Sequence, residues 1–375
     1  MSSTRINRVF GLDLIRSIAI GLVVMSHATL LAFPNSKNPI FTGIRILGAI
    51  GVDLFFVLSG FLIGGILLRH IELQKTSADD LYGFWKRRWF RTLPNYFLVL
   101  FLNVLIFLFL GNNLPKSILL YIPFLQNFST SHPDFFTEAW SLSIEEYAYL
   151  LLPFLLFFSF KFFKNSNKEK LFLWITLVSI FCLTFLKVLY YFSAEINSYN
   201  DWSTSFRKVV IYRIDAVYIG FLAVYIVRKY SKIMEKFKLH LLFTGLLIFI
   251  LIHVLVYSFN LVPQSSLGFY VFIYLQTIIF SLALLFPYFS ALNYSGVFFK
   301  PIKFISVNSY SIYLVNYSIV LLGMQEIFDV FNKSILQKIG LILLFLSVSI
   351  IFSNIIYRYF ELPILKYRDR KYKRG

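Results

Sequence analysis

Read from its first residues, the chain is a succession of long apolar runs broken by short polar loops. Ten runs can be drawn, at residues 9–33, 46–68, 92–111, 144–163, 171–192, 209–227, 240–260, 268–288, 304–325 and 337–359. Each is roughly 20 residues or longer, the length an α-helix needs to cross about 30 Å of hydrocarbon. Lipid offers no partner to backbone N–H and C=O groups, so runs of this kind must be helical. The pattern predicts an all-α fold, a polytopic transmembrane bundle of about ten spans. The longest connection, residues 112–143, is expected to carry a short re-entrant or interfacial helix around Ser117–Leu125.

Composition sharpens this picture. Of 375 residues 58% are hydrophobic and only 14% charged, against about 25% charged in soluble domains, which excludes a soluble globule. A net charge of +18 would suit a nucleic-acid binder, but its distribution points elsewhere. Alternate loops are basic: LLRHIELQKTSADDLYGFWKRRWFR, KFFKNSNKEK, RKYSKIMEKFK, the loop with Lys300 and Lys303, and the tail KYRDRKYKRG. Those between them, such as SFNLVPQSSLG, are nearly free of lysine and arginine. By the positive-inside rule both termini are cytoplasmic and the protein is integral to the cytoplasmic membrane. The expected partners of the surplus charge are anionic membrane lipids, not nucleic acid.

The start resembles a signal peptide, but its apolar run is too long, contains Asp13, Arg16 and His27, and lacks a small-residue cleavage site. It is expected to be retained as the first span. Cys182 is the single cysteine, so no intrachain disulfide or cysteine metal cluster is expected, nor any other metal. No loop is long enough to fold as a domain. The chain is expected to form one transmembrane domain over 1–375, with no appended soluble domain and a basic cytoplasmic tail at 360–375.

Any chemistry must then come from polar groups inside the bundle. Arg16 and His27 are eleven residues apart, three helical turns with about 20° left over, so they share a face roughly 16 Å apart in depth. Ionisable residues at such depth cost about 2.5–3.5 kcal/mol each unless they face the bundle interior or a wet cavity. Two on one stripe point to a pocket lining. Asp13, three residues before Arg16, is expected to pair with it. In the second span, GAIGVDLFFVLSGFLIGGILL, the glycines suit close helix contacts. Asp53 in its outer half could meet His27, and either Asp53 or Glu145 is expected to orient the imidazole. Ser59 could serve as a nucleophile but reads better as a small packing residue.

Arg88 and Arg91 in YGFWKRRWFRTLP are one turn apart at the cytoplasmic boundary, and guanidinium forks suit phosphate groups. In AWSLSIEEYAYLLLP, Ser143 and Glu146 fit a capping box. Glu145 is the more promising acid, expected in the same outer layer as His27 and Asp53. Arg213 and Asp215 are buried by depth but two residues apart, so each is expected to have a further partner. Lys187 and His253 read as incidental polar packing, and His132 as an uninformative loop residue.

These residues resemble the acyltransferase-3 family of integral membrane acyltransferases. FGLDLIRSIAIGLVVMSHA is similar to the family's opening Arg-x10-His pattern, GAIGVDLFFVLSGFLIG to its second-span signature, and KRRWFRTLP to its Arg-x-x-Arg motif. WSLSIEEYAYLLLP, RIDAVYIGFLAVY, SYSIYLVNYSIV and YRYFELPILKYR resemble later blocks in the same order. The resemblance implies a ten-helix core, a cytoplasmic acyl-CoA donor, commonly acetyl-CoA, as co-substrate without a tightly bound cofactor, and an acceptor hydroxyl on an outer carbohydrate. It casts His27 as the base, Arg16 as a holder of donor or site geometry, and Arg88 and Arg91 as ligands of the CoA phosphates; from its place at the cytoplasmic mouth, Arg69 could join them. Leu14 stands where the family often has glycine. Val315 and Asn316 stand where it often has Trp-His, a change expected to affect acceptor fit or packing and not the basic chemistry. A proton-coupled transporter of a polar or sugar-like solute would also bury such charges, but the chain lacks inverted-repeat halves with paired broken helices.

Overall fold

The computed structural model describes residues 9–329 and 333–372. Every regular element among these residues is helical. Ten helices are long and apolar enough to cross a membrane: α1 (Phe10–Ala32), α2 (Pro39–Glu72), α3 (Ala78–Phe109), α4 (Ala139–Phe162), α5 (Lys168–Ser193), α6 (Val210–Lys229), α7 (Ser231–Ser258), α8 (Phe269–Ala291), α9 (Phe299–Ile327) and α10 (Ile335–Arg370). All ten expected spans are present.

The apolar runs locate the middle of each helix, and the capping residues decide where it starts. Asn38 accepts from Ile40 N–H at 2.9 Å and starts α2 well ahead of its apolar run. Ser77 and Asp80 form a reciprocal capping box that starts α3 at Ala78. α4 begins at Ala139, so Ser143 lies inside the helix, donating to Ala139 C=O at 3.1 Å and accepting from Gln126 at 2.7 Å. The expected Ser143–Glu146 capping box therefore does not form.

The short helix expected around Ser117–Leu125 is present as a single 3-10 helix, Ile118–Tyr121. Its backbone is captured by the bundle. Tyr96 donates to Tyr121 C=O at 2.8 Å, and Tyr121 donates to Phe135 C=O at 2.6 Å. Phe124 and Phe136 hold positive φ angles of 60° and 43° and pack their rings on Tyr96. Each left-handed aromatic residue costs about 1–3 kcal/mol, offset here by burial.

The bundle has a centre and a periphery. The most apolar windows of α2, α6 and α9 are 67% buried, against 17% for α5 and 11% for α7, which lie at the periphery. Glycines set the central crossings. A Cβ added at Gly60 of α2 would stand 1.9 Å from Val217 C=O of α6, and one at Gly220 would stand 2.3 Å from Val57 C=O. In α2 against α1, the corresponding contacts are Gly48 on Ser26 and Gly51 on Ala19. Close backbone approach of this kind is how helices gain contact without a hydrophobic driving force in lipid.

α1 and α9 run parallel in contact along their length. Ser306 donates to Asp13 at 2.7 Å, Ser17 to Ile302 C=O at 2.9 Å, and His27 meets Asn316 further along. One end of the bundle, where the α2–α3 and α4–α5 loops lie, carries the basic loops. The other carries residues 33–38, 110–138 and 194–209.

Gly60→Ala is expected to destabilise the protein by about 1–3 kcal/mol through overpacking at the α2–α6 crossing. Gly43→Ala, which meets nothing within 4 Å, is the neutral control. Thermal melting in detergent compares the two.

Candidate active site

α9 supplies the frame of the site. Its polar residues recur at helical spacing, 306, 309, 310, 313, 316 and 317, and most of them hold a group from another helix. Taking them in order from the basic end describes the site.

At Ser306, Arg16 donates to the hydroxyl at 3.1 Å and to Asp13 at 3.3 Å, while Ser306 donates to Asp13. The expected Asp13–Arg16 pair is therefore present, with a serine bridging it to α9. Arg16 retains accessible surface, 16% of its side chain. One turn further, Tyr310 donates to Thr92 C=O at 2.7 Å, fixing the part of α3 that carries Arg88 and Arg91. Ser311 and Asn95 both donate to Glu361 Oε2, at 2.9 and 2.7 Å. Glu361 sits in a π turn of α10, Tyr357–Glu361, which returns the chain toward α3 and lets Arg368 donate to Arg87 C=O at 3.3 Å.

The result is a concentration of guanidinium groups. Arg91 lies within electrostatic reach of Arg88, Arg16 and Arg368, with Glu361 as the countercharge. The Arg91 side chain is exposed at the basic end of the bundle. Arg88 lies 4.7 Å from the centre of the Tyr149 ring, and Trp85 donates to Tyr149 C=O at 3.0 Å. Arg69 lies one turn before the end of α2, at the same end of the bundle.

Glu145 belongs to this layer. It accepts from Ser59 at 2.9 Å and from Tyr149 at 2.8 Å, and it feels the charges of Arg88 and Arg91. Ser59 thus serves as a hydrogen-bond donor to a carboxylate. The expected meeting of Glu145 with His27 does not occur, and depth gives the reason. α4 starts level with the His27 layer, and seven residues carry Glu145 roughly 10 Å toward the basic end. Glu146 faces the Thr92 hydroxyl and lines a cleft of about 200 Å³ with Trp89, Leu93, Phe124 and Leu150.

Asp53 is likewise elsewhere. It accepts from Arg213 at 2.5 Å and lies 3.9 Å from Arg207, sealed at 1% exposure. Because Gly51 packs on Ala19 in antiparallel register, Asp53 is level with a point about ten residues, or roughly 15 Å, nearer the basic end than His27. Arg213 and Asp215 do have separate partners, as their spacing required. Asp215 takes Lys187 at 2.5 Å and Gln276 at 2.8 Å. Lys187 is therefore a specific ion-pair partner and not incidental packing. This buried network ties α2, α5, α6 and α8 together.

His27 meets Asn316. The imidazole Nδ1 bonds Asn316 Oδ1, and the ring lies 4.9 Å from that of Tyr317. His27 is enclosed by protein yet keeps accessible surface. Asn316 opens a π turn, Asn316–Leu321, a distortion that clusters at functional sites. Glu138, just before α4, accepts from Ser318 N–H at 2.8 Å and from its hydroxyl at 3.0 Å. Burial pushes the Glu138 carboxyl up to about 7, against the pull of the Ser318 donors. In the neighbouring loop, His132 bonds Pro133 C=O at 2.6 Å, and burial pushes it down to about 3. His253 bonds Phe249 C=O at 2.7 Å within its own helix, in keeping with packing.

Arg16 and His27 thus share the α9-facing side of α1, as their spacing required. Glu138, Glu361 and Arg368 were not picked out as parts of the site from the sequence, and Asn316 was expected only to affect acceptor fit or packing. The polar stripe of α9 carried a readable signal for Asn316; a lone loop glutamate such as Glu138 carried none. Among the described residues no group of histidine, cysteine, aspartate and glutamate could hold a metal ion.

The chain belongs to the acyltransferase-3 family: the family model described as an acyltransferase domain matches residues 9–358. It is 27% identical over 345 residues to O-acetyltransferase OatA of Staphylococcus aureus (strain NCTC 8325 / PS 47), covering 85% of this chain and 53% of that protein. It is 27% identical over 398 residues to peptidoglycan O-acetyltransferase OatA of Listeria monocytogenes serovar 1/2a, covering 100% of this chain and 58% of that protein. The chain spans about half the length of these curated relatives. No solved structure matches it.

Lys187→Met leaves Asp215 charged without its main partner and is expected to cost about 3–5 kcal/mol of stability. Adding Asp215→Asn should recover much of that loss. Melting of the single and double variants measures the coupling.

Proposed function

We propose that this chain is a membrane O-acetyltransferase that moves an acetyl group from cytoplasmic acetyl-CoA to a carbohydrate hydroxyl on the outer side of the cytoplasmic membrane. The observation that carries this reading is the arrangement along α9: a guanidinium layer toward the basic end and one imidazole toward the other, on a shared wall. Basic loops mark the cytoplasmic side, so both termini lie there. The names of the Staphylococcus and Listeria relatives support O-acetyl transfer and, for the acceptor, an envelope glycan such as peptidoglycan.

In this reading Arg88 and Arg91 hold the CoA phosphates, with Arg69 at the cytoplasmic mouth. Arginine suits them because its planar fork donates two parallel bonds to phosphate oxygens. The pantetheine arm, roughly 15–20 Å long when extended, then passes the Arg16 level. That length matches the depth of roughly 16 Å between Arg16 and His27, so the thioester arrives beside the imidazole. Neutral His27 removes the proton of the acceptor hydroxyl. The oxygen attacks the thioester carbonyl, the tetrahedral adduct collapses, and the C–S bond breaks. The imidazolium returns its proton to the departing CoA thiolate, so the enzyme ends as it began. Histidine fits because its ordinary pKa, near 6.5, lies close to working pH. Asp53 has no part in orienting the ring, being committed to Arg213, and Glu145 acts in the donor layer.

Two measurements in nanodiscs with labelled acetyl-CoA test the scheme. His27→Ala is expected to lower transfer by about 100-fold or more while CoA still binds; wild-type turnover would remove His27 from the chemistry. Arg88→Ala with Arg91→Ala is expected to raise the KM for acetyl-CoA about tenfold or more. An unchanged KM would return both arginines to a purely topological role.

A further inference from the structure

The Asn316 amide can be oriented without ambiguity. Its Nδ2 donates to two main-chain carbonyls, Ile312 and Tyr313, both at 2.8 Å. An NH₂ group has two hydrogens and no acceptor capacity, so both are used. The other atom of the amide is therefore oxygen, and a flip would set oxygen against two carbonyl oxygens. That oxygen faces His27 Nδ1 and can only accept. The hydrogen between them must belong to the imidazole.

We propose that Asn316 is the positioning residue of the reaction: it holds neutral His27 as the Nδ1–H tautomer, so that Nε2 is the nitrogen that takes the acceptor proton. This rests on the acetyl-transfer reading and adds to it which atom is basic and what makes it so. In a free histidine side chain the proton prefers Nε2, and the hydrogen bond made by one ring nitrogen decides the state of the second. A side chain that can only accept, itself pinned by two carbonyls, selects one tautomer and one ring rotation.

The surroundings keep Asn316 in place. It opens the π turn of α9, and Ser318, two residues on, gives both its N–H and its hydroxyl to Glu138 Oε1. One side of the turn is thus tied through the asparagine amide and the other through a carboxylate on the segment leading into α4. The Tyr317 ring leans on the imidazole at 4.9 Å and limits its tilt. The carboxylate partner that usually orients a general-base histidine is replaced here by a neutral amide, so orientation is achieved without burying another charge beside the base.

The test reads the tautomer directly. Nitrogen-15 histidine-labelled protein in nanodiscs is examined by NMR, with the His27 signals assigned by their loss in His27→Gln. In the wild type, Nδ1 is expected to be protonated and Nε2 unprotonated. A wild-type Nε2–H tautomer overturns the proposal, and Asn316→Leu need not fold for that result. In Asn316→Leu, a near-isosteric change, the signal is expected to switch toward Nε2–H. The kcat should fall about tenfold or more, with the KM for acetyl-CoA within about twofold of wild type. A variant that keeps wild-type kcat overturns the positioning role. If the wild type shows the expected tautomer but transfers no acetyl group, the acetyl-transfer reading fails separately.

Discussion

Hydrocarbon offers nothing for a polar group to bond, and this constraint governs the molecule. An α9 with polar side chains at 306, 309, 310, 311, 313, 316 and 317 cannot meet lipid along that stretch, so it must lie in the bundle and its polar residues must find partners. Those partners are the residues of the site: Asp13 and Arg16 at Ser306, the backbone of Thr92 at Tyr310, Glu361 at Ser311, and His27 at Asn316. The helix therefore positions functional groups by the same bonds that make its own burial tolerable. In water such bonds would be worth little net, since solvent competes for each group. Without solvent, an unmade bond is the costly alternative.

A second polar assembly has a different task. The Asp53–Arg213 and Lys187–Asp215 pairs join α2, α5, α6 and α8, and each of these four side chains is at most 2% exposed. They are sealed from solvent, whereas Arg91, Glu145 and His27 each keep some surface open to it. Burial alone thus separates two kinds of charged residue in one bundle. Dry pairs fix helices against one another, while Arg91, Glu145 and His27 stay partly accessible. The glycine contacts at Gly60 and Gly220 bring α2 and α6 close enough for the short Asp53–Arg213 bond.

The π turns in α9 and α10 show how a straight helix is adapted at its functional positions. Asn316 starts one and Glu361 ends the other. In each, the widened turn sends a side chain to another helix and leaves irregular backbone deep in the bundle. Such backbone is tolerated at membrane depth only where protein buries it. The amide of Asn316 and the carboxylate of Glu138 meet that need in α9.

Several features followed from the order of residues alone: ten membrane helices, the alternation of basic loops, the shared face of Arg16 and His27, and the Asp13–Arg16 pair. All of them depend on local periodicity or on the transfer cost of single side chains, quantities that do not require knowing what lies across an interface. The tertiary structure alone decided which polar groups meet. Asp53 is drawn to Arg213 because helix register sets it too deep for His27, and Glu145 lies near the arginines because α4 starts level with the imidazole. The role of Asn316 was hidden for the same reason. Depth along one helix is set by its contacts with the others, and no local pattern records that offset.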